Sequence, residues 1–254
     1  SIKEPEEIEL LQKACNITEK GVRRLLSFVK PGVWEYEIEA ELMHEFLRNR
    51  SKGFAYTPII ASGENANVLH YIANNMQCKD GDVILLDVGA EYANYSSDLT
   101  RMIPVNGKFT ARQKEIYNAV LDMKNFATSL LVPGNNWYDY HKECGEFYTS
   151  KFLELGLLDK ADVQNQDKNW PAYKKYMMHG TSHHLGLDTH DYGILKDKFV
   201  ENMVFTVEPG IYLPAEGFGV RIEDDLVIQN SGPAFNLMKN IPIEVEEIEE
   251  LMNS

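Results

Sequence analysis

The sequence predicts an α+β layer architecture of two related halves, with helices outside and antiparallel strands inside. Two observations carry that expectation. Stretches with apolar residues at helical spacing alternate with pairs of short, β-branched runs. The chain also repeats itself faintly: Val29-Lys30-Pro31-Gly32-Val33-Trp34 is echoed about a hundred residues later by Val132-Pro133-Gly134-Asn135-Asn136-Trp137. In each half a helix, a Pro-Gly break, a Trp-led helix and a loop lead to a histidine and then to a strand pair. At 254 residues the chain is long enough to bury a substantial core as one large domain.

Pro5 to Val29 is predicted as the first helix, with Ile8, Leu11, Cys15, Val22, Leu25, Leu26 and Val29 at helical spacing and Pro31-Gly32 as its stop. Trp34 to Arg50 is the second, apolar at Ile38, Leu42, Met43, Phe46 and Leu47. Phe54 to Ser62 has strand character and is followed by a polar turn at Gly63-Glu64-Asn65; Val68-Leu69 then leads to His70. Val83 to Tyr92 and Tyr95 to Val105 form a strand pair ending at Asn106-Gly107. Thr110 is the expected N-cap of a helix running to Leu131, which Pro133-Gly134 ends before another helix from Trp137 to Leu155. Asp159 to Tyr176 is polar and reads as a surface connection. Met203 to Tyr212 and Gly219 to Gln229 make the second strand pair, and Glu244 to Glu250 reads as a solvated acidic tail.

Composition narrows the function classes. A net charge of −14 with no basic patch argues against nucleic acid as a partner. No run of about 18 apolar residues spans a membrane, and the first residues form no signal-peptide apolar core. An opening on Ser1 rather than Met points to a processed or excised piece. Cys15, Cys78 and Cys144 are odd in number and far apart, so free buried thiols in a reducing, cytoplasmic setting are expected rather than disulfides or a zinc knuckle.

Four of the seven histidines fall between His179 and His190, interleaved with glycines and acids. Neutral imidazole is a good ligand that titrates near working pH, so the cluster points to a metal or acid–base site. The strand pairs carry acids. With a turn centred between Tyr92 and Ala93, Asp87 and Asp98 face each other; a turn near Ala215-Glu216 does the same for Glu208 and Glu223. Facing cross-strand residues have Cβ atoms about 4.5–5.5 Å apart, and like charges so placed repel. Buried facing acids must be protonated or hold a cation. Asp224 and Asp225 read instead as a solvated face. Asp87, Asp98, Glu208 and Glu223 carry −4, which two divalent ions neutralise, and His183 adds one nitrogen. Such an oxygen-rich set suits manganese; cobalt and zinc also fit, with raw affinity favouring zinc. Two ions about 3.5–4 Å apart acidify water and clamp an attacked carbonyl, which predicts a two-metal hydrolase. Ser182 lacks a nucleophile elbow, and no phosphate loop or dinucleotide fingerprint occurs. His184 faces away from His183 in an extended segment, while His44 and His141 are expected on helix surfaces.

These residues resemble the catalytic domain of aminopeptidase P (Xaa-Pro aminopeptidase), one of the pita-bread metallopeptidases. The resemblance rests on Leu69-His70-Tyr71, Leu86-Asp87-Val88-Gly89 through Ser97-Asp98-Leu99-Thr100-Arg101, and the run from His179 to Asp191. It also rests on Thr206-Val207-Glu208-Pro209-Gly210 and Val220-Arg221-Ile222-Glu223. It implies a curved, mostly antiparallel sheet covered by helices, over residues 1–254 as a single catalytic domain whose usual N-terminal companion is absent. It further implies that Asp87 chelates one metal, Asp98 and Glu223 bridge both, and His183 and Glu208 complete the second. Glu208 would also take the proton of the attacking water. His70 and His190 would hold and polarise the scissile peptide, His179 would shape the proline pocket, and Arg221 would sit near that pocket or hold Glu223. The implied activity is release of the N-terminal residue from peptides with proline second, by a cytoplasmic enzyme that can form homo-oligomers. The alternatives are prolidase, which cleaves only dipeptides, and a non-catalytic peptide-binding module; intact ligand positions disfavour the latter.

Overall fold

The computed structural model describes residues Ser1 to Ser254. Helix α1 (Pro5–Phe28) starts with proline at its first position and the Glu4 N–H donating to the Glu7 carboxylate at 2.8 Å. It buries Leu11, Cys15, Val22, Leu25 and Leu26, and packs along α2 (Glu35–Arg48), which buries Ile38, Leu42 and Phe46. Thr110 caps α3 (Ala111–Ser129) as expected, accepting from the Gln113 N–H while its own N–H donates to the Gln113 side chain. Asn136 caps α4 (Trp137–Glu154) through the N–H groups of Tyr138 and Asp139.

The strands are antiparallel throughout. In the first half β1 (Ile59–Ser62) and β5 (Leu99–Pro104) flank β2 (Val83–Val88), and the short β3 (Glu91–Tyr92) and β4 (Tyr95–Ser96) close the ribbon. In the second half β6 (Val204–Val207) pairs with β9 (Asp224–Val227), and β7 (Gly210–Leu213) pairs with β8 (Phe218–Arg221). The short β10 (Phe235–Asn236) extends that sheet beyond β9. Each predicted long strand is thus two short ones: the ladder breaks at Gly89-Ala90 opposite Ser97-Asp98, and at Glu208-Pro209 opposite Ile222-Glu223, while the register runs on unshifted across both breaks. Gly89 sits at one break: a Cβ there would lie 1.8 Å from the Ser97 carbonyl oxygen, so only glycine admits that approach.

The faint repeat has a structural counterpart. Gly32 (φ +95°) donates to the Cys78 carbonyl and Cys78 donates to Val33, at 2.9 and 2.8 Å. Gly134 (φ +91°) donates to the Phe199 carbonyl and Phe199 to Asn135, again at 2.9 and 2.8 Å. The halves join where Glu223 donates its N–H to the Thr100 carbonyl and Arg101 Nη1 donates to the carbonyls of both. One continuous core of 52 buried residues draws from both halves.

Three expectations need correction. The acidic tail is a helix, α5 being Lys160–Gln164 and α6 Val245–Met252: α6 buries Val245 and Ile248, and Glu249 accepts from the Phe109 N–H and Lys114. Asp224 and Asp225 are not a solvated face but are both buried. Asp224 pairs with Arg101 and Lys124, whereas Asp225 accepts from the Asp98 N–H at 3.0 Å and lies against the Cys15 thiol. The Asp159 to Tyr176 connection is mostly surface, as expected, but contains α5 and a 3₁₀ turn at Ala172–Lys175. The three cysteines are free and buried, and no helix is long and apolar enough to cross a membrane.

Candidate metal centre

One cavity of about 860 Å³ is lined by all nine residues singled out in the sequence: His70, Asp87, Asp98, His179, His183, His190, Glu208, Arg221 and Glu223. Ligand-type atoms of Asp98, His183 and Glu223 all lie within 4.8 Å of one another. Asp87 joins this cluster through Tyr56, whose hydroxyl lies 2.6 Å from both Asp87 Oδ1 and Asp98 Oδ1. Glu208 joins it through His183, with Nε2 3.7 Å from Oε1.

The strands explain this convergence, with one change of register. The turn of the first ribbon is centred on Ala93-Asn94, both at positive φ, so Asp87 faces Thr100 rather than Asp98. Asp98 is two residues from that partner and therefore shares its face, diagonal to Asp87. In the second ribbon Val207 opposes Asp224 and Gly210 opposes Arg221, so Glu208 and Glu223 stand level as expected. The stretch around His183 runs alongside β6: Thr206 donates its N–H to the His183 carbonyl and Glu208 donates to Thr181. This backbone pairing turns His183 toward Glu208 and Asp98, and turns His184 into the core against Phe205 and Trp137.

The donor set fits divalent cations. Glu223 is 1% exposed; Thr100 donates to its Oε2 at 2.7 Å, but its buried Oε1 has no partner. An acceptor left bare in the interior is costly unless something positive faces it. The single Tyr56 proton cannot serve both aspartates. His183 places Nδ1 3.0 Å from the His184 carbonyl, so an Nδ1–H donated there leaves Nε2 turned to Asp98 and Glu208 as a ligand lone pair. Electrostatics agree. Burial, then the charges of Asp98, Glu208 and Asp87, pushes the Glu223 acid well above the usual range, and burial likewise pushes Glu208 up to about 7. Burial works to lower His183, but the Asp98 hydrogen bond and the nearby carboxylates outweigh it and carry the imidazole up to about 9. A proton there occupies the position a dication suits.

Arg221 is buried and holds Asp87, not Glu223: Nη2 lies 2.6 Å from Asp87 Oδ2, and Glu223 is reached only through the Thr100 hydroxyl. Arg221 Nη1 also donates to the Tyr212 hydroxyl at 2.8 Å, which lies 2.7 Å from His179 Nε2. With the tyrosine proton given to Nε2, His179 is the Nδ1–H tautomer and donates to the Gly180 carbonyl. Burial, reinforced by the Arg221 charge, lowers His179 to about 3, which keeps it neutral. His190 stacks edge-on against His183 at 4.4 Å, and His70 stands exposed at the cavity wall. His44 is exposed as expected, but His141 is half buried beneath Trp137. Sequence reasoning missed Tyr56, Thr100, Tyr212 and Asp225. Thr100 had a signal, since strand alternation puts it on the face of Asp98.

Residues 9–230 match the model of metallopeptidase family M24. The chain is 42% identical over 264 residues to the Xaa-Pro aminopeptidase of Haemophilus influenzae, covering 99% of this chain and 61% of that protein. Its structure matches that of a putative aminopeptidase P from Bacillus anthracis with a TM-score of 0.92 at 39% identity, over 99% of this chain and 58% of that one. It also matches Escherichia coli aminopeptidase P with the inhibitor Pro-Leu, with a TM-score of 0.91 at 39% identity, over 99% of this chain and 60% of that one. The chain thus spans about three fifths of the length of these relatives.

Proposed function

Because the chain belongs to metallopeptidase family M24, we propose that it is a two-metal Xaa-Pro aminopeptidase. It would release the N-terminal residue of peptides whose second residue is proline. The observation that carries this reading is the bare, buried Glu223 oxygen, ringed by three further carboxylates and an imidazole on the wall of a peptide-sized cavity. Proline calls for a dedicated enzyme because its amide lacks an N–H and its ring fixes φ.

Asp87 would hold one ion, Asp98 and Glu223 both, and His183 with Glu208 the second. Manganese suits so oxygen-rich a set best. Bound there, two divalent ions polarise the scissile carbonyl and acidify water. The remaining work falls to the chain. Glu208, whose Oε1 lies 3.7 Å from His183 Nε2 at the cavity wall, would take the proton of the attacking water and return it to the leaving proline nitrogen. Neutral His179 lines the proline pocket without adding a charge, while His70 and His190 hold the scissile peptide. Arg221, with Nη2 2.6 Å from Asp87 Oδ2, offsets part of the burial that raises this acid and keeps it aimed inward.

We read residues 1–254 as one catalytic domain of two duplicated halves in the pita-bread arrangement, supported by the shared core and the matching Pro-Gly hydrogen bonds. The free thiols fit a cytoplasmic setting. The test compares Xaa-Pro-Xaa tripeptides with Xaa-Pro dipeptides after chelation and return of manganese. Cleavage of the tripeptide that needs the metal, and that Glu208→Ala abolishes, supports the proposal. Cleavage of dipeptides alone makes the protein a prolidase, and binding without cleavage makes it a peptide-binding module.

A further inference from the structure

Glu35 is completely buried, and neither lysine nor arginine pairs with it. An ionised carboxylate survives such a place only when donors fill its lone pairs. Five do. Oε1 accepts from the Ser62 N–H and hydroxyl, both at 2.8 Å, and from Asn65 at 3.1 Å. Oε2 accepts from the Tyr71 hydroxyl at 2.7 Å and the Met76 N–H at 3.0 Å. Glu35 opens α2, where the helix dipole favours negative charge, and its own N–H donates to the Met76 carbonyl.

All five donors come from one stretch, residues 62–76, which carries His70 near its middle. After a 3₁₀ turn at Gly63–Asn67 this stretch has no regular structure up to Met76. Val68 and Ile72, two residues to either side of His70, are exposed, while Leu69 and Tyr71 are partly buried against the core. Polar anchors hold the loop from behind as well: Glu35, and Asn74, which bonds Glu39, Pro58 and Ile60.

We propose that Glu35 is the positioning residue for His70, fixing its loop so that the imidazole stands at the cavity wall where the peptide lies. This rests on the reading of His70 as a substrate-holding residue. A carboxylate is needed because an amide has one accepting oxygen and would turn two N–H groups toward the donors of Tyr71 and Met76.

The test is a double-variant cycle with Glu35→Gln and His70→Ala, assayed on an Xaa-Pro-Xaa tripeptide with manganese, alongside amide hydrogen exchange. Glu35→Gln lowers kcat/KM by roughly 10- to 100-fold, the scale expected when a contact group is misplaced from a distance. It divides that loss between kcat and KM as His70→Ala does, and adds nothing in the His70→Ala background. Exchange quickens at Ser62 and Met76. Tyr71→Phe removes one donor and leaves the carboxylate four; it carries the same test with a smaller loss if Glu35→Gln does not fold. Losses that multiply in the double variant overturn the proposal, as does unchanged exchange. If His70→Ala alone is silent, the reading of His70 fails instead, and exchange at Ser62 and Met76 by itself decides whether Glu35 orders the loop.

Discussion

Glu223→Gln should reverse its effect on stability according to whether divalent metal is present. Ligand atoms of Asp98 and Glu223 lie within 4.8 Å; two carboxylate charges at that distance repel by roughly 3 kcal/mol at an effective dielectric of about 20. The amide keeps an oxygen for the Thr100 hydroxyl and puts an NH₂ where the unpartnered Oε1 now sits. In EDTA the variant should therefore be at least as stable as the parent, gaining anything from zero to about 3 kcal/mol. The gain shrinks to the extent that Glu223, held well above the usual carboxylate range by burial and its acidic neighbours, is already protonated. With manganese at 100 times its Kd the parent gains about 2.7 kcal/mol, or roughly 5–10 °C in Tm for a chain of this size. The variant should gain little at the same concentration, so the two melting curves cross over. Thermal melts followed by circular dichroism, with EDTA and with manganese, measure this directly. A variant weakened in EDTA yet still raised fully by manganese would mean that Glu223 serves Thr100 and nothing else.

Arg221→Met should cost about 3–5 kcal/mol in urea unfolding, because Asp87, which burial and Asp98 already push toward its protonated form, would lose the partner that offsets them; a loss under about 1 kcal/mol would contradict this. Gly89→Ala should destabilise by about 3 kcal/mol or more, or prevent folding, since its Cβ would meet backbone rather than a movable side chain. A soluble variant with an unchanged melt would refute that. For His184, burial lowers the imidazole from 6.5 to about 4. The unfolded chain takes up that proton first, so the stability tied to neutral His184 is complete above about pH 6.5 and is lost as pH falls toward 4. His184→Gln should flatten this dependence, read as urea midpoints at pH 7 and pH 5, while retaining most turnover; a slope unchanged from the parent would refute it.

The helices were legible because their apolar stripes and Pro-Gly stops are local signals, as with α1 from Leu11 to Leu26. The acids of the centre were legible because Asp87 and Glu208 follow apolar strand residues that oblige burial. The turn was placed one residue early and the partner of Asp87 therefore two residues off, since the tight turn at Ala93-Asn94 puts an alanine at positive φ, where Gly or Asn is the usual marker. Asp224 and Asp225 were misjudged for another reason. Their partners Arg101, Lys124, Cys15 and the Asp98 amide are remote in the chain, and nothing local distinguishes a buried ion pair from a solvated one. In α6 the spacing of Val245, Ile248 and Leu251 was available, but the surrounding glutamates masked it.

The seam at Thr100 and Glu223 bears on how the molecule becomes competent. Neither ribbon alone holds more than two of the four acids, and the bond that joins them closes a loop of more than a hundred residues. Contacts so distant in sequence are slow to form, because the chain surrenders loop entropy before it gains anything in return. The four acids of the candidate centre are therefore assembled only by the whole polypeptide, once its two halves have met.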